Sequence, residues 1–457
     1  MDRRQAITLI GSLLVPRLSA AVPTPTRTQR SWLEAFVYPP LVTAGEDIRL
    51  RISARANTDR VGTQNYTQAP VRIEVLKLPS REIMLSCDRW CNYMEPTDWQ
   101  SGTVGAASPD GTLWPAVSGV RSKDTWTPGA YSARVFHDSD LMCDAPFVVR
   151  RRRLHSARIL AVAPYFTWQA YSEWGDASFY DQPKAKPEPY TIGLARPLFA
   201  SFNDVLSNSI YTDENRRYVG PFAHLCAFLE REGSDFDCVT DVELHQEAYL
   251  LDGVKRLIVA GRSEYWTAEM ASQVERFVKR NGNRFLNLSG NTYESTVVYE
   301  EQYLDPAGHY KGDKWPRLKL TGAHKSIRDK LLGLNYDGIA SSLSSKDFGS
   351  SEFFRDSSPA AASHPFIANF PNRFAGVTLT HQGVGWTGGV GGEFDDCSRS
   401  KDIVVLASGH FSNGSHGHLC VFNGHGANAV LNVPSINFAG TLPLDLYSRE
   451  LVRRAIA

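Results

Sequence analysis

No apolar run in this 457-residue chain reaches the ~18–20 residues that a membrane helix needs, so the sequence carries no integral membrane segment. Neither sign of charge is in excess. Lys+Arg and Asp+Glu both number 49, which leaves no field to hold a polyanion such as nucleic acid. No G-x-S-x-G elbow occurs, which disfavours a serine hydrolase of the α/β-hydrolase kind. The stretch "GVGWTG" at 383–388 matches G-x-G-x-x-G, but more glycine and acidic residues follow it and no helix opens, so a dinucleotide fingerprint is set aside. No internal repeat or low-complexity tract stands out. What remains is an ordinary globular composition, 42% hydrophobic and 21% charged, and a length that predicts two to three domains of about 150 residues each.

The first 30 residues have the plan of a bacterial export signal with its lead-in. Arg3 and Arg4 precede the apolar stretch Ala6–Val15, the small residues Ser19-Ala20-Ala21 follow, and a Pro/Thr/Arg stretch covers 23–30. The adjacent arginines point to the twin-arginine route and a periplasmic destination. That route carries folded passengers.

Seven cysteines are present: Cys87, Cys91, Cys143, Cys226, Cys238, Cys397 and Cys420. An oxidising compartment permits disulfides, and an odd count leaves at least one thiol free or paired between chains. Cys87 and Cys91 fall in a segment that reads as loop-rich and could pair locally or with Cys143. A zinc site is disfavoured, because no second closely spaced Cys/His pair partners them.

Residues 32–149 read as all-β. "DIRLRISA", "VRIEVLKL", "GAYSARVF" after the Pro128-Gly129 turn, and "APFVVR" are short strands separated by turn signals, the pattern of a sandwich. The run Arg150–Arg153 reads as a solvated linker. From residue 157 the pattern changes. "RILAVAP", "KRLIVAG" and "NRFLNLSG" are continuous apolar runs, as expected for strands buried on both faces, and "DFDCVTD" is a shorter strand. A helix is expected over about 220–232, with Phe222, Leu225, Cys226 and Leu229 on one stripe and Gly233 at its end. A second is expected from Thr267, its cap, to the Asn281-Gly282 stop. Strands alternating with helices imply a parallel sheet with helices on its faces. Residues 300–380 give no clear pattern. The end looks like strands ("DIVVLAS", "HLCVFNG", "ANAVLNV") and a terminal helix.

In open parallel sheets, ligands bind beyond the carboxyl ends of the strands. After "RILAVAP" comes "YFTWQAYSEWGDASFYD", after "KRLIVAG" comes "RSEYW", and after "RFLNLSG" comes "NTYES". These loops should open on one edge of the sheet and bring Tyr171, Tyr180, Glu264, Tyr265 and Asn291 to one region. His410, His416, His418 and His425 form a rival cluster, but a lone H-x-H at 416 and 418 is more often incidental. His224 and His245 are expected on a helix and in a loop.

At those same three loops the chain resembles the C-terminal domain of the N,N-dimethylformamidase large-subunit family. The matching motifs are Ala170-Tyr171, Ser178-Phe179-Tyr180-Asp181, Arg262-Ser263-Glu264-Tyr265-Trp266, Gly290-Asn291 and Gly392-Glu393-Phe394-Asp395. They extend over roughly 157–450, and the β-rich region ahead of them fits too. The resemblance implies an N-terminal immunoglobulin-like β-sandwich over 32–149. It also implies a glutamine-amidotransferase-like, flavodoxin-like α/β domain over 152–457 with a mostly parallel sheet.

The resemblance further implies a mononuclear ferric ion held by Tyr171, Tyr180 and Glu264. The chemistry is coherent. A phenol with pKa about 10 ligates well only when a strong Lewis acid replaces its proton. Fe(III) is hard and trivalent, three anionic oxygens neutralise it, and softer divalent ions favour His or Cys. The chain departs from the family where a histidine two residues before the glutamate becomes Arg262 and the following aspartate becomes Ser263. A guanidinium stays protonated and is no general base, although it can stabilise an oxyanion or bind a carboxylate. Glu393 then becomes the candidate general base, and Asn291 a polar orienting group.

The expected activity is metal-assisted hydrolysis of the C–N bond of a small amide. Two other readings stand beside it: an exported protein that binds a ligand or glycan without turnover, and an iron oxidoreductase on the same scaffold. The partner expected is a small-molecule amide, with room for a homo-oligomer or a small partner subunit.

Overall fold

The computed structural model describes residues 33–54, 68–92, 116–152, 157–172, 178–179, 191–198, 219–302, 315–323, 325–335, 352–375, 378–381, 384–387, 396–397, 400–410, 416–427, 429–433, 435 and 438–457. The export signal expected over 1–30 lies outside them, as do Tyr180 and Glu393.

The first part of the chain is built of strands alone. They are β1 (Leu33–Val37), β2 (Leu41–Thr43), β3 (Leu50–Ala54), β4 (Gln68–Lys77), β5 (Glu82–Asn92), β6 (Gly129–His137) and β7 (Asp140–Arg150). Five form one sheet in the order β2-β7-β6-β4-β5, and β1 pairs with β3 in a second. Alternation explains the packing. Val71, Ile73 and Val75 of β4, and Tyr131, Ala133 and Val135 of β6, share one core with Leu33, Leu50, Ile52, Trp126 and Phe147. Cys87 and Cys91 lie within β5, so the reading of that segment as a loop is corrected. The strand alternates, with Asp88 and Trp90 exposed and Cys91 buried. Among the described cysteines, the one disulfide joins Cys397 to Cys420. Cys87, Cys91 and Cys143 are unpaired thiols.

Within the arginine run expected as a solvated linker, Arg150 closes β7 and is half-buried with Arg151, Arg152 is exposed, and Arg153 lies outside the described residues. Arg150 pairs with Glu247 at 3.3 Å, Arg151 with Asp235 at 2.6 Å and Arg152 with Asp124 at 3.5 Å. Lys77 adds a bond to Glu230, and Leu78, Ala130 and Val148 join the core of the following region. The two cores are therefore joined by both apolar contact and ion pairs.

The remaining chain is mixed α/β. Its elements are β8 (Ile159–Ala163), α1 (Tyr165–Tyr171), β9 (Thr191–Gly193), α2 (Val219–Arg231), β10 (Phe236–Thr240), α3 (Asp241–Gln246), β11 (Arg256–Arg262), β12 (Tyr265–Trp266), α4 (Ala268–Val278) and β13 (Arg284–Gly290). There follow β14 (Ser295–Gln302), β15 (Trp315–Ala323), α5 (Lys325–Leu332), β16 (Leu334–Asn335), β17 (Phe353–Arg355), α6 (Pro359–Ala362), β18 (Arg373–Phe374), β19 (Thr378–His381), β20 (Val384–Thr387), β21 (Asp396–Cys397), β22 (Ile403–His410), β23 (His416–Phe422), β24 (Val430–Asn432), α7 (Phe438–Thr441) and α8 (Leu446–Ile456).

The central sheet runs β10-β8-β11-β13-β24-β23-β22-β17-β18. Pairing is parallel from β10 to β24 and antiparallel from β24 to β18. The expected mostly parallel sheet is thus half of a mixed one, because β22 and β23 pair as an antiparallel hairpin. The parallel half follows from its sequence: every residue of β8 and β10 is buried, which suits strands covered on both faces. α4 starts where Thr267 accepts the amide hydrogen of Met270 at 3.2 Å, as its sequence predicts. His245 sits in α3, where a loop was expected. Residues 300–380 contribute β14 and β15, which join β12 and β9 in a four-stranded sheet of order β12-β14-β15-β9. No helix of the described residues is long and apolar enough to cross a membrane.

Candidate metal centre at the sheet edge

Three adjacent parallel strands, β8, β11 and β13, end at one edge, with Arg262 directly opposite Gly290 in the register. Beyond β8 the chain enters α1, a single buried helix of seven residues that ends on Tyr171. Gly261 adopts φ +83°, a left-handed turn that an L side chain would strain, and Arg262, Ser263 and Glu264 follow it.

The Tyr171 hydroxyl donates to Glu264 Oε2 at 2.6 Å. Arg262 Nε lies 3.8 Å from the same oxygen, and its guanidinium carbon stands 4.6 Å from the centre of the Tyr171 ring. All three side chains are buried, with relative exposures of 4%, 3% and 1% for Tyr171, Glu264 and Arg262. A carboxylate removed from water needs both charge and hydrogen-bond compensation, and here a phenol and a guanidinium supply them. Arg262 is therefore committed to Tyr171 and Glu264.

The backbone around Glu264 is fixed from several sides. Its amide donates to Thr167 Oγ1 at 3.0 Å, and its carbonyl accepts from Ser295 N at 3.1 Å. Ser263 is held through its amide, its carbonyl and its hydroxyl. Its amide donates to Ser289 Oγ at 2.8 Å, its carbonyl accepts from Tyr293 N, and its hydroxyl accepts from Trp266 Nε1 at 2.9 Å. After β13, Asn291 and Tyr293 both hold positive φ, +51° and +52°. Such conformations in non-glycine residues concentrate at functional loops. The Trp266 and Tyr293 rings stack at 5.2 Å, which holds the second of them.

Phe179 is also drawn in. Its amide donates to Ala170 O at 2.9 Å, and its ring packs 5.1 Å from that of Tyr265. The structure thus brings Tyr171, Glu264 and Arg262 into contact and sets Asn291 in the neighbouring strand-end loop. Tyr180 and Glu393 are outside the described residues. Among those residues no cluster of three or more His, Cys, Asp or Glu side chains forms. In the histidine group, His410 stands opposite His416 in the β22–β23 register and His425 meets Leu331 O at 3.0 Å.

Sequence reasoning missed Thr167, Ser289, Gln169, Arg196 and Asp241. Thr167 had a readable signal, since it lies four residues before Tyr171 and so shares its helical face. Arg196 and Asp241 had none, being brought in by the fold.

A buried tyrosine–carboxyl–arginine cluster at the carboxyl edge of the parallel half of a mixed sheet defines an α/β protein with a strand-end polar site. The chain belongs to the family described as N,N-dimethylformamidase beta subunit-like, C-terminal, whose model matches residues 61–450. The match begins well ahead of residue 157, within the all-β region, so the family pattern takes in most of that region too. No curated protein matches the chain.

Proposed function

We propose that the chain is an exported, iron-dependent amidohydrolase that cleaves the C–N bond of a small linear amide. Its family supports a dimethylformamidase-like hydrolase. The observation that carries the metal reading is the 2.6 Å contact between the Tyr171 hydroxyl and Glu264 Oε2. Two hard oxygen donors converge there out of water, and a cation that displaced the shared proton would find both in reach. The donor chemistry fits Fe(III), with Tyr171 and Glu264 as two ligands and Tyr180 as the third. Bound there, Fe(III) would supply Lewis-acid polarisation of the amide carbonyl and of the attacking water.

The protein's own groups do the rest. Arg262 lies against the Glu264 carboxyl and covers one face of the Tyr171 ring. Its fixed positive charge also favours substrates carrying a carboxylate near the amide. Asn291, in its strained turn, orients the substrate. Glu393 takes the proton of the attacking water and returns it to the leaving amine. The proposed architecture is an immunoglobulin-like sandwich over 32–149 and a glutamine-amidotransferase-like domain over 152–457, delivered to the periplasm by the twin-arginine route.

The deciding experiment is metal analysis, visible spectroscopy and amide turnover on protein purified from its native export pathway. About one iron per chain, a tyrosinate charge-transfer band and amine release are expected. A colourless protein with stoichiometric zinc removes the iron reading. Iron without turnover makes the chain a binding protein, and oxygen consumption makes it an oxidoreductase.

A further inference from the structure

Helix α1 is held at its two ends by a buried carboxyl and a buried guanidinium, and both come from other parts of the chain. At the amino end, Pro164 offers no side-chain cap; instead Asp241 Oδ2 accepts the amide hydrogen of Phe166 at 2.8 Å. At the carboxyl end, Arg196 Nη2 donates to the carbonyls of Gln169 at 2.7 Å and Ser172 at 3.1 Å. Arg196 Nε also donates to Gln169 Oε1 at 3.2 Å. Gln169 in turn donates through Nε2 to Tyr165 Oη at 2.9 Å and Arg196 O at 3.1 Å. Arg196 and Asp241 are 0% and 1% exposed.

The Arg196 cation at the carboxyl terminus matches the helix dipole, whereas burial pushes the Asp241 carboxyl well above the usual carboxylate range, so its part at the amino terminus is the hydrogen bond to Phe166. Here the arrangement does more than stabilise seven residues. Arg196 grips the carbonyls on either side of Tyr171, so the backbone that carries the phenol has little freedom to rotate or slide. Burial pulls the Arg196 guanidinium down to about 10, and it stays charged at neutral pH.

We infer that Arg196 is a positioning residue: by clamping the Gln169 and Ser172 carbonyls across Tyr171, it sets the phenolic oxygen at ligand distance from Glu264. The inference rests on the reading of Tyr171 and Glu264 as metal ligands and names a residue that the reading does not require. Groups that orient metal ligands without touching the ion typically change metal affinity by roughly ten- to a hundredfold when removed.

The test is iron titration of the full chain, followed by its visible band, for Arg196→Met, Arg196→Lys and Gln169→Met. Arg196→Met should weaken iron binding by roughly tenfold or more and move the band. Arg196→Lys, which keeps a cation able to reach one carbonyl, should recover part of both. Gln169→Met, which removes the side-chain bonds at similar volume, should weaken binding to a smaller degree. If Arg196→Met fails to fold, the other two variants carry the result. Variants that are folded and bind iron with wild-type affinity and an unshifted band overturn the inference. A wild-type protein that takes up no iron overturns the metal reading itself, which is a separate outcome.

Discussion

Thr167 and Glu264, far apart in the sequence, meet through a bond from the Glu264 amide to the Thr167 hydroxyl at 3.0 Å. One helical turn later Tyr171 meets the Glu264 carboxylate. One face of α1 therefore holds both the backbone and the side chain of the same glutamate. Thr167→Val keeps the shape and leaves the buried amide of Glu264 without its acceptor, which costs about 1–3 kcal/mol. Thr167→Ser should lose much less. Urea unfolding of the two variants separates these outcomes, and equal stability would show that the amide finds another acceptor.

Tyr171→Phe and Glu264→Gln each remove one anionic oxygen from a strand-end site and leave the sheet core as it is. Both should abolish stoichiometric iron binding, while far-ultraviolet circular dichroism stays native. Full iron in both variants would place the metal elsewhere.

Arg262→Met leaves a buried carboxylate with less compensation, and the expected loss of stability is on the order of 3 kcal/mol. Arg262→Lys keeps the charge and should cost less. If the guanidinium also meets the substrate, Arg262→His shifts preference from acidic towards neutral amides by roughly ten- to a hundredfold. An unchanged ratio of the two turnover rates, with stability lowered as stated, would make Arg262 a support for the ligands alone.

Asp144 gives a pH signature away from the site. Burial pushes its carboxyl up to about 7, against the opposing pull of Arg134. A carboxyl whose folded pKa lies above its unfolded value binds its proton more tightly when folded. Its contribution is complete below about pH 4 and is lost as pH rises through about 7. Asp237, pushed up to about 6 by burial, acts with the same sign. Asp144→Asn should flatten the stability profile between pH 4 and 7. At pH 8 it should raise stability by on the order of 4 kcal/mol. Chemical denaturation across pH checks this, and a variant whose profile keeps the wild-type slope contradicts it.

The parts of this molecule that were legible in the sequence are those in which one segment decides its own structure. The apolar runs of β8, β11 and β13 are strands because their burial is two-sided, and their ends place Tyr171 and Glu264 at one edge before any contact is known. β5 was misread because its exposed face carries Ile83 and Trp90, which blurs the alternation around Cys87 and Cys91. The ion pairs of Arg150 and Arg151 leave no trace in the local sequence because their partners, Glu247 and Asp235, are not their sequence neighbours. Arg196 was invisible for the same reason: its value lies in carbonyls about 25 residues earlier, and no periodicity records that.

The small sheet β12-β14-β15-β9 has a mechanical consequence. One outer strand, β12, begins immediately after Glu264, and the opposite outer strand, β9, ends just before the segment carrying Arg196. The two sides of the Tyr171–Glu264 contact are thus the two jaws of a single clasp, with β14 and β15 as its spine. Strain introduced in the spine reaches the glutamate and the Arg196 clamp together, so the Tyr171–Glu264 contact should be lost in one step.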